Sequence, residues 1–341
     1  MRRGRLPSVI GHRGAPGYRP EHTLASYRLA IALGADAVEP DVVMTLDGVA
    51  VLRHETEIGG TTDVAAHPEF AGRRCVKQVD GHELEGWFCE DFTLAELKTL
   101  RAVERLPHRR PRNARWDGRF EVATLDELLL LLAEESRRWE RRIGLNVELK
   151  SSTHLASSGL ALEDTVLASL RDHGLDRRDS GVLLQSFETT NLRRLRERTD
   201  LPLVQLVDAG GAPADLVAAG DPTTYDDLCS QGGLRAVARY ADVVGVAHTR
   251  LLDRPALVED AHLAGLQVLA WTVRDDDPDG HADEDVRRLL DAGVDGLFSD
   301  HPDTTLLVRD QWVARQPDPL GRGLSRAGAG AAVGSPAGAP G

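Results

Sequence analysis

The stretch Val9–His54, VIGHRGAPGYRPEHTLASYRLAIALGADAVEPDVVMTLDGVAVLRH, carries two histidines (His12, His54), an arginine (Arg13) and three carboxylates (Glu21, Glu39, Asp41), each at the end of an expected element. Val9 and Ile10 form an apolar strand that stops at Gly11, and the loop GHRGAPGYRP leads to a helix start near Pro20. A helix is expected over Glu21–Leu33, because Leu24, Tyr27, Ala30 and Ile31 follow a 3.6-residue period and Gly34 closes it. In the next strand, AVEPDVVMT, Glu39 and Asp41 are two residues apart and so share a face. Two carboxylates aimed together repel and are costly to desolvate unless a cation or proton lies between them, and a hard divalent cation suits the pair.

Beyond this strand, Asp47-Gly48 is a strong hairpin signal, and the chain returns as VAVLRH. A two-residue loop pairs Leu46 with Val49 and sets Asp41 opposite His54. So short a connection cannot reach a parallel strand, which needs a crossover of about a dozen residues. The returning arm is therefore expected to be antiparallel.

With 341 residues and 41% hydrophobic content, the chain has ample material for a core. Its net charge of -13 repels phosphate at long range, which argues against nucleic acid and against stable association with anionic membrane. Any phosphate site must be local. The cysteines Cys75, Cys89 and Cys229 are odd in number and lack metal-ligand spacing, so neither a disulfide framework nor a zinc site is indicated. MRRGRLPSV runs into the first strand without an apolar signal region, and no run reaches transmembrane length; a cytoplasmic setting is expected. Nothing in the sequence specifies an oligomeric state.

From Thr56 to Phe120 the pattern breaks into turn residues, scattered aromatics and one expected helix, TLAELKTLRAVERL. A structureless loop of that length is improbable inside a compact domain, so an insertion packed as a small subdomain is expected over about 56–120. It should lie over the strand ends. Its arginines, Arg105, Arg109 and Arg110 among them, read as a solvated face. From Thr124 strands and helices alternate regularly, which implies a parallel sheet. Nine strand candidates, less the antiparallel arm, leave eight. The fold class is α/β, a (β/α)8 TIM barrel with a β-hairpin and the insertion, occupying 1–315; the Gly/Ala/Pro-rich tail 316–341 is expected to be disordered.

A barrel of this kind keeps its chemistry at the C-terminal ends of its strands. His12 and Arg13 follow the first strand; Glu39 and Asp41 end the second. Glu148 and Lys150 end LNVELK, Gln185 and Ser186 end GVLLQSF, Trp271 lies in LQVLAWTV, and Asp300 ends VDGLFSD. This concentration is the functional signal. Glu39, Asp41 and Glu148 read as ligands of one divalent cation, since charges are rarely buried at strand ends for stability alone. Arg13 suits a phosphate as a fork and Lys150 as a point charge. Trp271 reads as a pocket wall. Glu21 is equally a helix N-terminal acid and a functional group, and His22, His248, His281 and His301 read as structural.

The ordered set GHRG, RPEHTLASY, VEPDVVMTLDGVAVLRH, DFTLAEL, NVELK, LLQSF, WTVR and DGLFSDHPDT, spread over residues 11–305, resembles the glycerophosphodiester phosphodiesterase family, in the branch whose first loop reads HRG then PEHT. The resemblance implies hydrolysis of a small glycerophosphodiester to sn-glycerol 3-phosphate and an alcohol. It matches Glu39, Asp41 and Glu148 to the metal ligands, His12 and His54 to the acid/base pair, and Arg13 and Lys150 to the phosphate contacts; the cation it implies is Ca2+ or Mg2+. The family has Asp after the second histidine, where this chain has Glu55. A phospholipase D of the sphingomyelinase type shares the barrel and histidine pair, but its membrane-borne substrates fit poorly with an acidic chain. A non-catalytic sugar-phosphate barrel should lack a histidine or a carboxylate, and none is missing.

Overall fold

The computed structural model describes residues 6–278 and 280–316; the tail expected to be disordered lies outside these, apart from Gln316. Twelve strands are present among the described residues. The barrel uses β1 (Ser8–His12), β2 (Ala37–Glu39) with β3 (Asp41–Met44), and, after the hairpin arm β4 (Ala50–Leu52) and the insertion strands β5 (Cys75–Val79) and β6 (His82–Gly86), β7 (Gly144–Leu149), β8 (Val182–Ser186), β9 (Leu203–Val207), β10 (Val243–Ala247), β11 (Gln267–Val273) and β12 (Gly296–Ser299). All barrel pairings are parallel, and β1 pairs with both β2 and β12, which closes the ring. β2 and β3 are one strand with a gap at Pro40. Ala37 pairs with Gly144 and Asp41 with Glu148, the same offset on β7, and only the missing proline N–H interrupts the ladder. The expected eight-stranded barrel is thus present.

Strand parity sorts the side chains into layers. The outward positions of β7, Leu145, Val147 and Leu149, join the large core under the helices. Inward positions near the strand starts, Ile10, Ala37, Val204, Leu206, Val243, Leu269 and Phe298, form an apolar plug. The inward residues that follow, such as His12, Glu39, Asp41 and Glu148, are polar. The first helix begins at Leu24 rather than Glu21, because the Thr23 hydroxyl caps it by accepting from Ser26 N. Glu21 and His22 are thereby left in the loop facing the barrel mouth.

Two sequence expectations need correction. The arm β4 is antiparallel to β3, but Val42 pairs with Leu52 and Met44 with Ala50, one residue out of the expected register. Asp41 therefore lies opposite Arg53, whose N–H donates to the Asp41 carbonyl at 3.1 Å. The turn has three residues, Leu46-Asp47-Gly48, with Gly48 at φ 79°, the form in which a left-handed residue closes the loop. Thr45 causes the slip: its backbone N–H donates to Val49 O at 3.0 Å, while its hydroxyl accepts from Val49 N at 2.9 Å and donates to the Asp47 carboxylate at 2.6 Å. The two-residue Asp-Gly turn occurs instead at Asp80-Gly81, with both φ positive (51° and 84°) and Val79 paired with His82.

The helix expected over TLAELKTLRAVERL stops after Leu97. From Arg101 the backbone bonds laterally instead, Ala102 N to Phe120 O at 2.8 Å and Val103 N to Thr61 O at 3.0 Å. The segment between Thr56 and Phe120 packs Ile58, Val64, Phe70, Cys89, Phe92, Leu97 and Leu100 against Val43 and Val51 of the hairpin, a second small core. The chain after Val103 is then free to cross the barrel mouth. All three cysteines are free, and no helix among the described residues is long and apolar enough to cross a membrane.

Gly11 holds the first loop against the first helix: a Cβ there would lie 2.6 Å from Gly14 O and 2.8 Å from Ala30 Cβ. Gly11→Ala is expected to cost about 1–3 kcal/mol by overpacking and to lower activity by moving His12 and Arg13. Gly48→Ala meets no neighbour within 4 Å and should cost only ~1 kcal/mol of left-handed strain, with activity intact. Urea midpoints and turnover of the two variants check this; equal activity losses would contradict it.

Candidate active site

Barrel register assembles the site. His12 is the lateral partner of Glu39 across β1 and β2, Asp41 of Glu148 across β3 and β7, and Glu148 of Gln185 across β7 and β8. Glu39, Asp41 and Glu148 are all buried, and each offers an oxygen within 4.8 Å of the other two. Asp41 Oδ2 hydrogen-bonds His22 Nε2 at 2.9 Å and forms an ion pair with Arg13 Nε at 3.2 Å, while the Arg13 Nε–H itself donates to His12 Nε2; the buried Oδ1 has no hydrogen-bond partner among the described residues. Glu39 accepts from Arg13 N at 2.9 Å and Gln185 Nε2 at 3.3 Å, and Glu148 accepts from Lys150 Nζ at 2.7 Å. A cluster of hard oxygens with one buried orphan fits a hard divalent cation.

The electrostatics have the same shape. Burial raises the Glu39 carboxyl well above its ordinary range, and Asp41 and Glu148 add to this. Burial raises Glu148 to about 8, against Lys150 and with Asp41. Asp41 goes the other way: burial is outweighed by Lys150, His54 and Arg13, so it stays ionised. Three carboxylates share too little positive charge to be all ionised on their own.

A cavity over this cluster is lined by His12, Arg13, Glu39, His54, Glu148, Gln185, Phe187 and Trp271. Six of the eight site residues expected from the sequence, His12, Arg13, Glu39, His54, Glu148 and Trp271, line this cavity, while Asp41 joins through the carboxylate cluster and Lys150 through its bond to Glu148. Trp271 forms part of the wall, edge-on to Phe187 with ring centroids 5.4 Å apart, and its indole N–H donates to Gly245 O at 3.1 Å. Arg13 sits at φ 55° and His22 at φ 57°. Two non-glycine residues in the left-handed region flank the site, a strain that the surrounding bonds must hold.

His54 reaches the cavity from the bend after β4, so the register slip moves its backbone partner without removing it from the site. Each histidine has a carboxylate behind it: His12 Nδ1 lies 2.6 Å from Asp300 Oδ1, and His54 Nδ1 lies 2.5 Å from Glu55 Oε1. Both imidazoles are then set with Nδ1–H donating and Nε2 unprotonated. Burial lowers His12 to about 4, with Arg13 acting in the same sense and Asp300 against it. It lowers His54 to about 3, helped by Arg13 and Lys150 and opposed by Asp41 and Glu55.

Several site residues escaped the sequence reading. His22, read as structural, is wholly buried between Asp41 and the Tyr27 hydroxyl, 2.8 Å from its Nδ1, and orients a candidate ligand. Glu21 bonds Arg13 and Arg105. Arg105 and Arg110, read as a solvated face, cross the mouth and bond Glu55 and Asp300. With Arg109 they line a second cavity that shares His12, Arg13 and Arg274 with the first. Asp300 was visible as a strand-end acid; the arginines carried no local signal.

An imidazole whose native pKa lies below 6.5 is charged later than its unfolded counterpart as pH falls. Stability from keeping His12 neutral is thus complete above pH 6.5 and is lost as pH drops toward 4, by roughly 3 kcal/mol at pH 4. His12→Asn should narrow the difference in urea midpoint between pH 7 and pH 4, measured in EDTA. An unchanged difference would contradict the buried neutral imidazole.

The family model for the glycerophosphoryl diester phosphodiesterase family matches residues 12–304. Glycerophosphodiester phosphodiesterase GDPD6 of Arabidopsis thaliana is 31% identical over 86% of this chain and 83% of its own length. The glycerophosphodiester phosphodiesterase of Haemophilus influenzae is 29% identical, with 87% and 88% covered. Among solved structures, one from Silicibacter pomeroyi superposes with a TM-score of 0.68 at 29% identity, covering 90% of this chain and 94% of that one. An Oleispira antarctica phosphodiesterase in complex with the product sn-glycerol-3-phosphate has the same fold, with a TM-score of 0.64 at 23% identity over 89% and 97% of the two chains. A match across nearly the whole barrel, on a site built from the residues that carry the motifs, makes this chain a member of the glycerophosphoryl diester phosphodiesterase family.

Proposed function

We propose that this chain, with residues 1–315 as the catalytic unit, hydrolyses glycerophosphodiesters to sn-glycerol 3-phosphate and an alcohol, using His12 and His54 as acid and base and one divalent cation, Ca2+ or Mg2+. The observation that carries this reading is the convergence of two carboxylate-backed histidines, Arg13, Glu39 and Glu148 on one cavity, with Asp41 clustered with the two glutamates and Lys150 bonded to Glu148. The binding of sn-glycerol-3-phosphate to the Oleispira relative supports the substrate class.

Glu39, Asp41 and Glu148 would hold the cation, which would supply Lewis acidity to the phosphoryl group. Arg13 and Lys150 bind the remaining phosphate oxygens and stabilise the charge that grows on them in the transition state. Trp271 and Phe187 pack against the glycerol carbons. One histidine takes the proton from the nucleophile and the other protonates the departing alcohol; where water attacks, this gives sn-glycerol 3-phosphate directly, and where the glycerol 2-hydroxyl attacks, it gives a cyclic phosphate that a water then opens with the two histidines in reversed roles. Burial lowers the pKa of both imidazoles in the free protein, and the carboxylate behind the acid would stabilise its imidazolium when it takes a proton from solvent with the anionic substrate bound.

Chelation with EDTA should abolish turnover, and Ca2+ or Mg2+ should restore it better than imidazole-seeking metals; full activity after tightly bound metal is stripped would count against the cation. His12→Ala and His54→Ala should each lower kcat by roughly two orders of magnitude or more while metal binding by calorimetry persists. Arg13→Ala should raise KM and lower kcat/KM together, because a phosphate oxygen is charged in both ground and transition states. A histidine variant with near wild-type kcat removes that residue from proton transfer.

A further inference from the structure

Two charge chains lead from the histidines into the insertion. Behind His12, the second oxygen of Asp300 receives Arg110 at 2.6 Å and Arg274 Nε at 3.1 Å, and Arg110 also grips Asp276 at 2.6 and 3.1 Å. Behind His54, both oxygens of Glu55 receive Arg105, at 2.8 and 2.6 Å, and the same guanidinium holds Glu21 at 2.8 and 2.6 Å. Arg105 and Arg110 are five residues apart on the strap that crosses the barrel mouth. That strap is pinned to the first loop by the Asn113 amide, which donates to Pro16 O at 2.9 Å and also bonds Glu104.

We propose that Arg105 and Arg110 of the insertion are positioning residues for the reaction, each holding the carboxylate that orients one of the two histidines. The proposal rests on the reading of His12 and His54 as acid and base. An orienting carboxylate sets the tautomer and ring angle only if it is itself fixed and ionised. Both are: burial works against the charge of each, but His12, Arg274 and Arg110 hold Asp300 far below the usual carboxylate range, and His54 and Arg105 do the same for Glu55. The two clamps differ in redundancy. Asp300 directly follows the strand β12 and has a second arginine in Arg274, whereas Glu55 lies in a bend after β4 and, among the described residues, has only Arg105 besides His54. Loss of Arg105 is therefore the more damaging. The site is complete only with the insertion seated over the barrel, which ties the acid/base pair to a segment 50 residues beyond Glu55 in sequence.

Steady-state kinetics on two substrates, glycerophosphocholine and the p-nitrophenyl ester of glycerol 3-phosphate, test this. Arg105→Gln is expected to lower kcat on glycerophosphocholine by about tenfold or more, and Arg110→Gln by less, with KM changed under about threefold. Arg105→Gln/Glu55→Gln should be no slower than Glu55→Gln alone, because the arginine acts through the glutamate. Arg105→Lys should recover part of the loss, since one ammonium cannot hold two carboxylates as a fork does. The p-nitrophenolate leaving group needs no proton, so the clamp behind the acid should matter little for that ester while the other still matters. Arg73→Gln, which breaks an insertion ion pair with Glu96 away from the cavity, controls for loosening of the insertion and should leave kcat unchanged. Equal losses in Arg73→Gln, additive losses in the double variant, or a loss confined to KM would overturn the proposal. Turnover that needs both histidines but neither arginine overturns it alone; turnover indifferent to the histidines overturns the acid/base reading as well.

Discussion

Three carboxylates on neighbouring parallel strands, all buried and within 4.8 Å of one another, are the constraint around which this molecule is arranged. At an effective dielectric of about 20, each like-charged pair at that spacing costs roughly 3 kcal/mol, a sum that marginal stability cannot carry without compensation. The chain compensates with Arg13 and Lys150 in ion pairs and with His22 behind Asp41, and still leaves Asp41 Oδ1 without a hydrogen-bond partner among the described residues. A divalent cation bound by the three carboxylates would resolve the remainder. The cluster thus explains both why Arg13 is held in a left-handed conformation and why Lys150 stays charged although buried: burial disfavours its ammonium, but Glu148 and Asp41 outweigh that.

The barrel makes such a cluster possible because it separates stability from chemistry along each strand. The apolar plug at the strand starts and the outer layer under the helices supply the packing, so the polar residues at the strand ends need contribute nothing to folding. A period of two then carries the inward face from Ala37 through Glu39 to Asp41, and parallel pairing sets Asp41 beside Glu148 and Glu148 beside Gln185. His12 extends this ladder from the end of β1, beside Glu39, whereas His54 comes from the bend after β4, and each has a separate carboxylate at its Nδ1.

The insertion completes the electrostatics from above. Its small apolar core against Val43 and Val51 seats it on the outside of the hairpin, which directs the strap carrying Arg105 and Arg110 across the mouth. The arginine-lined cavity there is closely balanced, because its guanidiniums are engaged by Glu21, Glu55, Asp276, Asp277 and Asp300. It reads as a frame for the histidines more than as an open anion trap.

Periodicity in the sequence was enough to determine the barrel, the inward face shared by Glu39 and Asp41, and the gathering of Glu148, Lys150 and Trp271 at strand ends, because strand parity and helix period are local properties of the chain. Tertiary structure decided the rest. The hairpin register turned on the Thr45 hydroxyl and its bonds to Val49 and Asp47, a competition that an Asp-Gly pair does not reveal, while the same dipeptide at 80–81 made the two-residue turn. The helix expected to continue past Leu97 gave way to lateral bonds with Thr61 and Phe120. His22, Glu55, Arg105, Arg110 and Asp300 acquired roles only through partners elsewhere in the chain; His12 and Asp300 are 288 residues apart. A side chain's charge can be read from sequence, but its partner is set by which strands and loops the closed barrel brings together, and that pairing leaves no local trace.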